Sequence, residues 1–317
     1  MASKHVVRLG PLKIGGGNPV MVQSMTNTDT RDVEATLGQI GRLVERGCEA
    51  VRVAVPDDRA ADVLRELHDK SPVPLIADIH FDWRLAVRAI EAGFEGLRIN
   101  PGNIGDESRV ERVVRAAKAN GAAIRVGVNS GSVEKELLER YGGPVPRAMA
   151  ESAVNHVRMV EKYGLDQIVV SVKSSSVLDT VACYRELARL VPYPLHLGVT
   201  EAGSLMRGTV KSAAGLGILL FEGIGDTIRV SLTADPVEEI DVAWELLRCL
   251  GLRYYGPEII SCPTCGRTEI DLIGMEKAVS ERLKGCRANI RVAVMGCVVN
   301  GPGEAREADY GMAGGKD

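Results

Sequence analysis

The chain has few aromatic residues: three Phe, two Trp and seven Tyr, 4% of 317 residues. So few rings do not supply a platform for stacking nucleobases. No charge of one sign dominates either. Lys and Arg number 39 against 42 Asp and Glu, a net charge of −3. That is too little for the broad basic field that draws nucleic acid or a membrane surface. An anionic ligand must therefore be held by locally gathered cations. No apolar run approaches the ~18 residues of a membrane span. The opening Met-Ala-Ser-Lys-His-Val-Val-Arg holds no signal-like apolar stretch. Seven cysteines at irregular spacing do not form the disulfide framework of a secreted domain. These absences point to a cytoplasmic protein. With 45% hydrophobic and 26% charged residues, the chain can bury one large core and a second, small one.

Short apolar runs alternate with amphipathic helical patterns from residue 19 to about 251. The runs fall at 20–25, 50–55, 74–79, 96–100, 123–128, 167–172, 195–199 and 226–231. Continuous apolar runs with branched side chains suit parallel strands buried on both faces. Helical segments such as 32–47 and 108–121 end in a Gly that stops a helix. This pattern predicts an α/β protein, a (β/α)8 TIM barrel, over residues 1–253. A doubly wound sheet is disfavoured because Gly15-Gly16-Gly17 precedes the first long strand, where a turn is expected in place of a phosphate fingerprint. Beyond Tyr254-Tyr255-Gly256-Pro257 a small α/β module, 254–317, follows as strand 258–261, helix 271–285 and strand 289–295. No closing strand or helix is expected after it, and the chain reads as cut short in loop-like residues.

In a barrel, site residues come from the C-terminal ends of strands and the loops behind them. Those positions carry Arg52, Asp78, His80, Arg98, Asn100, Arg125, Asn129, Lys173, Glu201, Arg229 and Ser231. An Arg within an apolar strand is costly unless it meets an anion. Four Arg and one Lys at equivalent positions outnumber the available carboxylates, and a diphosphate would satisfy them. The alternative is that each Arg forms a structural ion pair or faces the helices. Glu201, in the tight loop Gly198-Val199-Thr200-Glu201-Ala202-Gly203, is a candidate acid/base. His5, His68, His156 and His196 have no ligand-like spacing.

Cys262-Pro263-Thr264-Cys265, then Cys297 and Glu304, offer three thiolates and a carboxylate. Three cysteines without a nearby fourth suggest a cluster with one unusual ligand, a role Glu304 suits on its Gly/Pro turn. Cys286 is a less suitable fourth ligand, since its setting reads as a helix C-cap. Cys48, Cys183 and Cys249 read as core or half-buried thiols.

Ser261-Cys262-Pro263-Thr264-Cys265-Gly266-Arg267 and Met295-Gly296-Cys297-Val298-Val299-Asn300-Gly301-Pro302-Gly303-Glu304 resemble the cluster signature of the bacterial 4-hydroxy-3-methylbut-2-enyl diphosphate synthase family. The segments 19–28 and 98–105 are similar to its opening and its fourth strand-loop. The resemblance implies a [4Fe-4S] cluster on Cys262, Cys265, Cys297 and Glu304 in a small C-terminal iron-sulfur domain. It implies reductive ring opening and dehydration of 2-C-methyl-D-erythritol 2,4-cyclodiphosphate, with electrons from ferredoxin or flavodoxin. Substrate contacts carry over to Arg52, His80, Arg98, Asn100, Arg125, Asn129, Lys173, Arg229 and Ser231, and the acid/base role to Glu201. A homodimer is also implied, with each cluster domain capping the partner's barrel. Members of the family continue some tens of residues further. The rival reading is a phosphate-binding barrel with a structural zinc module, used for binding only. A radical enzyme is disfavoured because no closely spaced cysteine triplet stands near the start.

Overall fold

The computed structural model describes residues 3–299 and 301–314, without the side chains of Pro302 and Glu304. The chain divides into two compact units, Met1–Arg253 and Tyr254–Asp317.

The first unit begins with an antiparallel hairpin, β1 (Val6–Leu9) and β2 (Leu12–Gly15). The expected turn over Gly15, Gly16 and Gly17 follows, all at positive φ. Eight parallel strands come next: β3 (Met21–Met25), β4 (Ala50–Ala54), β5 (Leu75–Asp78), β6 (Gly96–Ile99), β7 (Ala123–Asn129), β8 (Ile168–Lys173), β9 (His196–Leu197) and β10 (Thr227–Ile228). They form one sheet in the order β8-β7-β6-β5-β4-β3-β10-β9. A bridge between Val170 and Leu195 brings its two ends together, so the sheet curls into the expected (β/α)8 barrel.

The two faces of the strands divide the work. Val51, Val53, Leu75, Leu97, Ile124, Val126 and Val170 are fully buried and supply the apolar strand content that was legible in the sequence. Helices between strands start at side-chain caps, Asp32, Asp82, Asp106, Ser176 and Asp235 among them. Each cap satisfies a backbone N–H of the first turn. The helix Glu107–Asn120 ends at Gly121, whose φ of 69° lets the chain leave in the left-handed conformation.

The interior of the barrel changes character along its axis. At the N-terminal end Met21, Ala50, Ile76, Ala123 and Val169 form one apolar cluster with Val7, Leu9 and Ile14 of the hairpin. The hairpin thus plugs the bottom. Gly96 makes room for it, since a Cβ there would lie 2.7 Å from Cδ1 of Leu9. Towards the C-terminal ends the inward positions become cationic.

The second unit holds β11 (Glu258–Ser261), the helix Leu272–Leu283, β12 (Arg291–Met295), a short helix Gly301–Glu304 and β13 (Tyr310–Ala313). All three strands are parallel, with β12 central. β13 corrects the sequence reading, which expected no closing strand. Its burial gives the reason: every residue of β13 is exposed, so no apolar periodicity marks it. Cys249 is also exposed, where a core or half-buried thiol was expected. It ends the helix Pro236–Cys249 and has left the buried face.

Candidate active site

Register gathers the charged side chains. Arg52 pairs with Met25 and Ile76, Asp78 with Ala54 and Arg98, and Arg98 with Arg125. Asn129 pairs with Lys173 at the ends of β7 and β8. Paired residues of parallel strands face the same side, so Arg52, Asp78, Arg98 and Arg125 share the barrel interior. Arg229 follows β10. Two glycines leave space for the long side chains. A Cβ on Gly127 would stand 2.6 Å from Nε of Arg98, and one on Gly198 would stand 3.1 Å from Nζ of Lys173.

The charges do not balance. Asp78 lies 3.8 Å from Nε of Arg52, 3.5 Å from Nη1 of Arg98 and 3.5 Å from Nε2 of His80. Glu239, almost wholly buried, meets Arg229 at 3.2 Å. It also accepts hydrogen bonds from Ser24 Oγ and the Leu232 N–H. Among the described residues Arg125 pairs with no carboxylate. Its Nη1 donates to Gln23 Oε1 at 2.9 Å, while Nε and Nη2 are buried without a partner. Among the described residues Lys173 also pairs with no carboxylate. Five cations therefore meet two acids in one low-dielectric basin.

The energetics follow. Burial, reinforced by Arg229 and Arg98 and opposed by Asp78, lowers Arg52 to about 10. Burial first, then the neighbouring Arg52, pushes both Arg125 and Lys173 well below their ordinary values. Burial alone would raise Asp78, but Arg52, His80 and Arg98 hold it well below the usual carboxylate range. Unpaired buried charge costs on the order of several kcal/mol. The basin thus carries an excess of buried positive charge.

The remaining residues sit around it differently. His80 is exposed beside Asp78. Asn100 is buried, but its Oδ1 is occupied as the cap of the helix Pro101–Ile104, accepting from the Gly102 N–H. Asn129 is exposed and caps the one-turn helix Ser130–Ser132. Ser231 is half-buried just past β10. Glu201 is exposed and has φ 53°, the one positive value outside glycine among the described residues. Its loop is tied on both sides: Thr200 N–H donates to Ser174 O, and Thr233 N–H to Gly203 O. Such backbone strain held by neighbours is characteristic of working residues.

Sequence reasoning missed Glu239, Ser24, Gln23 and His196. Glu239 reads as an ordinary acidic residue in the first turn of a helix, beside Glu238. Only its burial marks it out.

In the second unit the cysteines lie at the C-terminal edge of the parallel sheet. Cys262 directly follows β11 and Cys297 lies two residues beyond β12. The Gly296 N–H donates to Cys262 Sγ at 3.3 Å, which ties the two loops together. Glu269 N–H to Gly296 O adds a second tie. Cys297 is buried, Cys262 half-buried and Cys265 exposed. The Arg267 backbone, then its side chain, lowers the Cys265 thiol. An N–H to sulfur bond and a lowered thiol are the chemistry a thiolate-held cluster needs, so this donor set fits an iron-sulfur centre. Among the described residues no three His, Cys, Asp or Glu side chains stand together as a closed metal site. The side chain expected as fourth ligand, Glu304, lies outside the described residues.

A model described as the GcpE TIM-barrel domain matches residues 4–244, and one described as the GcpE protein C-terminal domain matches 258–317. A protein of Lawsonia intracellularis named 4-hydroxy-3-methylbut-2-en-1-yl diphosphate synthase (flavodoxin) is 65% identical over 311 residues, 98% of this chain and 87% of its own. Its namesake in Geobacter sulfurreducens is 58% identical, over 99% of this chain and 89% of its own. Among solved structures, the dihydropteroate synthase of Yersinia pestis aligns with TM-score 0.56 at 16% identity, over 78% of this chain and 98% of that one. At that identity the likeness concerns the barrel fold alone.

Proposed function

The chain belongs to the GcpE family, and on that premise we propose how its own residues carry out the family's reaction. It is an oxidoreductase that opens the ring of 2-C-methyl-D-erythritol 2,4-cyclodiphosphate and removes water, giving 4-hydroxy-3-methylbut-2-enyl diphosphate. Two electrons and two protons enter; one carbon–oxygen bond to the diphosphate opens and one hydroxyl leaves as water.

The observation that carries the site assignment is Arg125, buried with two unpartnered nitrogens. The diphosphate is its missing partner. Arg98, Lys173, Arg52 and Arg229 converge on the same anion, with Asp78 and Glu239 fixing the three arginines that they touch. Asn100, Asn129, Ser231 and His80 border the substrate from the rim. Glu201, on its strained loop, delivers or takes the protons. Anchoring the anion deep in the barrel leaves the hydroxyl-bearing carbons towards the mouth.

Cys262, Cys265 and Cys297 would hold a [4Fe-4S] cluster, with Glu304 as the fourth ligand. Such a cluster would supply one-electron reducing chemistry at the site. Flavodoxin, which the relatives carry in their names, is the electron donor, and ferredoxin is the alternative. The cluster domain of one chain caps the barrel of its partner in a homodimer, which excludes water from the reacting carbons. The reducing cytoplasm is the compartment, because the thiols must stay free to bind iron. Among the described residues no helix is long and apolar enough to cross a membrane.

Anaerobic reconstitution tests this. The protein should turn brown and hold about four irons and about four sulfides per chain. With a reductant it should convert the cyclic diphosphate to the allylic one. A colourless protein with bound zinc and no turnover would support the binding-only alternative.

A further inference from the structure

His196 lies at the floor of the anion basin, where its register partner Thr227 pairs in turn with Met21 of the apolar plug, and nothing above gives it a role. It is fully buried on β9. Leu197 lies beside Gly225 of the loop before β10, and Val199 beside Gly215 of the helix Leu205–Phe221, so these alternate residues face away from the barrel interior. Alternation then turns His196 inwards, level with its register partner Thr227. The backbone is fixed by Tyr184, whose hydroxyl donates to the His196 carbonyl and accepts from the Val172 N–H. On the ring, Nδ1 lies 2.6 Å from Thr227 Oγ1, while Nε2 is buried without a partner.

The tautomer follows from counting donors and acceptors. Among the described residues Thr227 Oγ1 has one partner, the His196 ring. With the proton on Nδ1, the buried threonine hydrogen and the Nε2 lone pair would both lack a partner; with it on Nε2, only the Nε2–H does, so the Nδ1–H form leaves one more buried polar group unmet, at about 1–3 kcal/mol. The hydroxyl therefore donates to Nδ1, and the ring hydrogen sits on Nε2. The imidazole stays neutral, since burial, then Arg125 and Lys173, push it well below its ordinary range. The result is an uncharged N–H donor among cations. It offers a hydrogen bond to an anion without adding to the repulsion between Arg125, Lys173 and Arg229.

We propose that His196 donates a hydrogen bond from Nε2–H to the bound diphosphate, positioned by Thr227 and Tyr184. This deepens the substrate reading above and rests on it.

The test has two arms. In the intact holoenzyme, nitrogen NMR of labelled histidine should report the Nε2–H tautomer. Adding the cyclic diphosphate should move the Nε2 resonance and leave a neutral ring. Separately, His196→Leu should weaken calorimetric affinity for the cyclic diphosphate by about 10–100-fold, as for a lost bond to a charged group. His196→Gln, which returns an amide N–H at similar reach, should recover most of that loss. A melting curve checks that each variant folds, and the NMR arm needs no variant. The Nδ1–H tautomer, an Nε2 signal unmoved at saturation, or unchanged affinity in folded His196→Leu would overturn the proposal. Failure of the unaltered protein to bind the cyclic diphosphate at all would instead fault the diphosphate assignment.

Discussion

Gly127 and Arg98 are matched by size: a Cβ on Gly127 would lie 2.6 Å from Nε and 3.2 Å from Nη2 of Arg98. The guanidinium passes through the space that a side chain on β7 would fill. It thereby reaches Asp78 and stays within the basin. The absence of a side chain at this position of β7 places a charge on β6.

Gly127→Ala should therefore act on substrate binding through Arg98. The extra methyl forces the guanidinium aside, at a cost of about 1–3 kcal/mol for overpacking. KM for the cyclic diphosphate should rise about tenfold, with kcat less affected, as for weakened ground-state binding. Steady-state kinetics with a melting curve would show it. An unchanged KM in the folded variant would mean that Arg98 does not need this path.

Asp78 ties three basic groups together, so Asp78→Asn should be costly. Removing one partner from a buried ion network is worth about 3–5 kcal/mol at neutral pH. The acid dependence gives a sharper check. Because the folded carboxyl is held below its ordinary value, its contribution is complete above about pH 4 and fades as pH falls through the lower folded value. The stability gap between wild type and variant should thus narrow in acid. A gap that stayed constant from neutral pH down to strong acid would show that the charge of Asp78 contributes nothing.

The cations of the basin were legible because an Arg inside an apolar β-strand is rare and needs a reason. Arg52, Arg98 and Arg125 stand out from Val, Ile and Leu on either side. Their supporting acids were less visible. Asp78 ends a strand and could be named, but Glu239 sits in Asp235-Pro236-Val237-Glu238-Glu239, which any helix start resembles. Gln23 and His196 are neutral in their setting and break no pattern. The plugging hairpin was missed because its strands are four residues each and half exposed. β9 and β10 are only two residues long, although apolar runs suggested longer strands. The chain there turns from pairing to presenting Gly198, Arg229 and Ser231 at the mouth.

Lys173 should take up a proton when substrate binds. In the free protein its pKa is pushed well below the ordinary lysine range by burial and by its arginine neighbours. A bound diphosphate reverses that repulsion and raises it again. Above the range where the diphosphate itself titrates, calorimetry in buffers of different ionisation enthalpy should detect net uptake that grows as pH rises through the range where free Lys173 loses its proton. In Lys173→Met the uptake should disappear. Equal heats in all buffers for the unaltered protein would place Lys173 outside the anion's field.

Glu201 separates strain from chemistry. Its left-handed backbone costs an L-residue roughly 1–2 kcal/mol. Glu201→Gly should melt at least as high as wild type, and higher than Glu201→Ala, which keeps the strain without the carboxylate. Both variants should lose about 10²–10⁴-fold in kcat if the carboxylate handles protons. Comparable melting points for the Gly and Ala variants would show that the loop relaxes freely; retained turnover would remove Glu201 from the reaction.

The proposed shared-site arrangement makes a quantitative prediction. If each cluster domain serves the partner's barrel, Glu201→Ala supplies a dead barrel with a sound cluster domain, and Cys297→Ala supplies the reverse. Each homodimer alone should be nearly inactive. After subunit exchange, about half the dimers pair the two variants, as random mixing of a two-fold assembly gives. In each such dimer one site carries both defects and the other carries neither. Activity should return to about a quarter of wild type, since about half the dimers then hold one sound site of their two. If each domain served its own barrel, every site in the mixture would keep one defect and nothing would return. The measurement is turnover after mixing, with exchange confirmed by native mass spectrometry. Complete exchange without recovery would defeat the partner-capping model while leaving the substrate and cluster assignments standing.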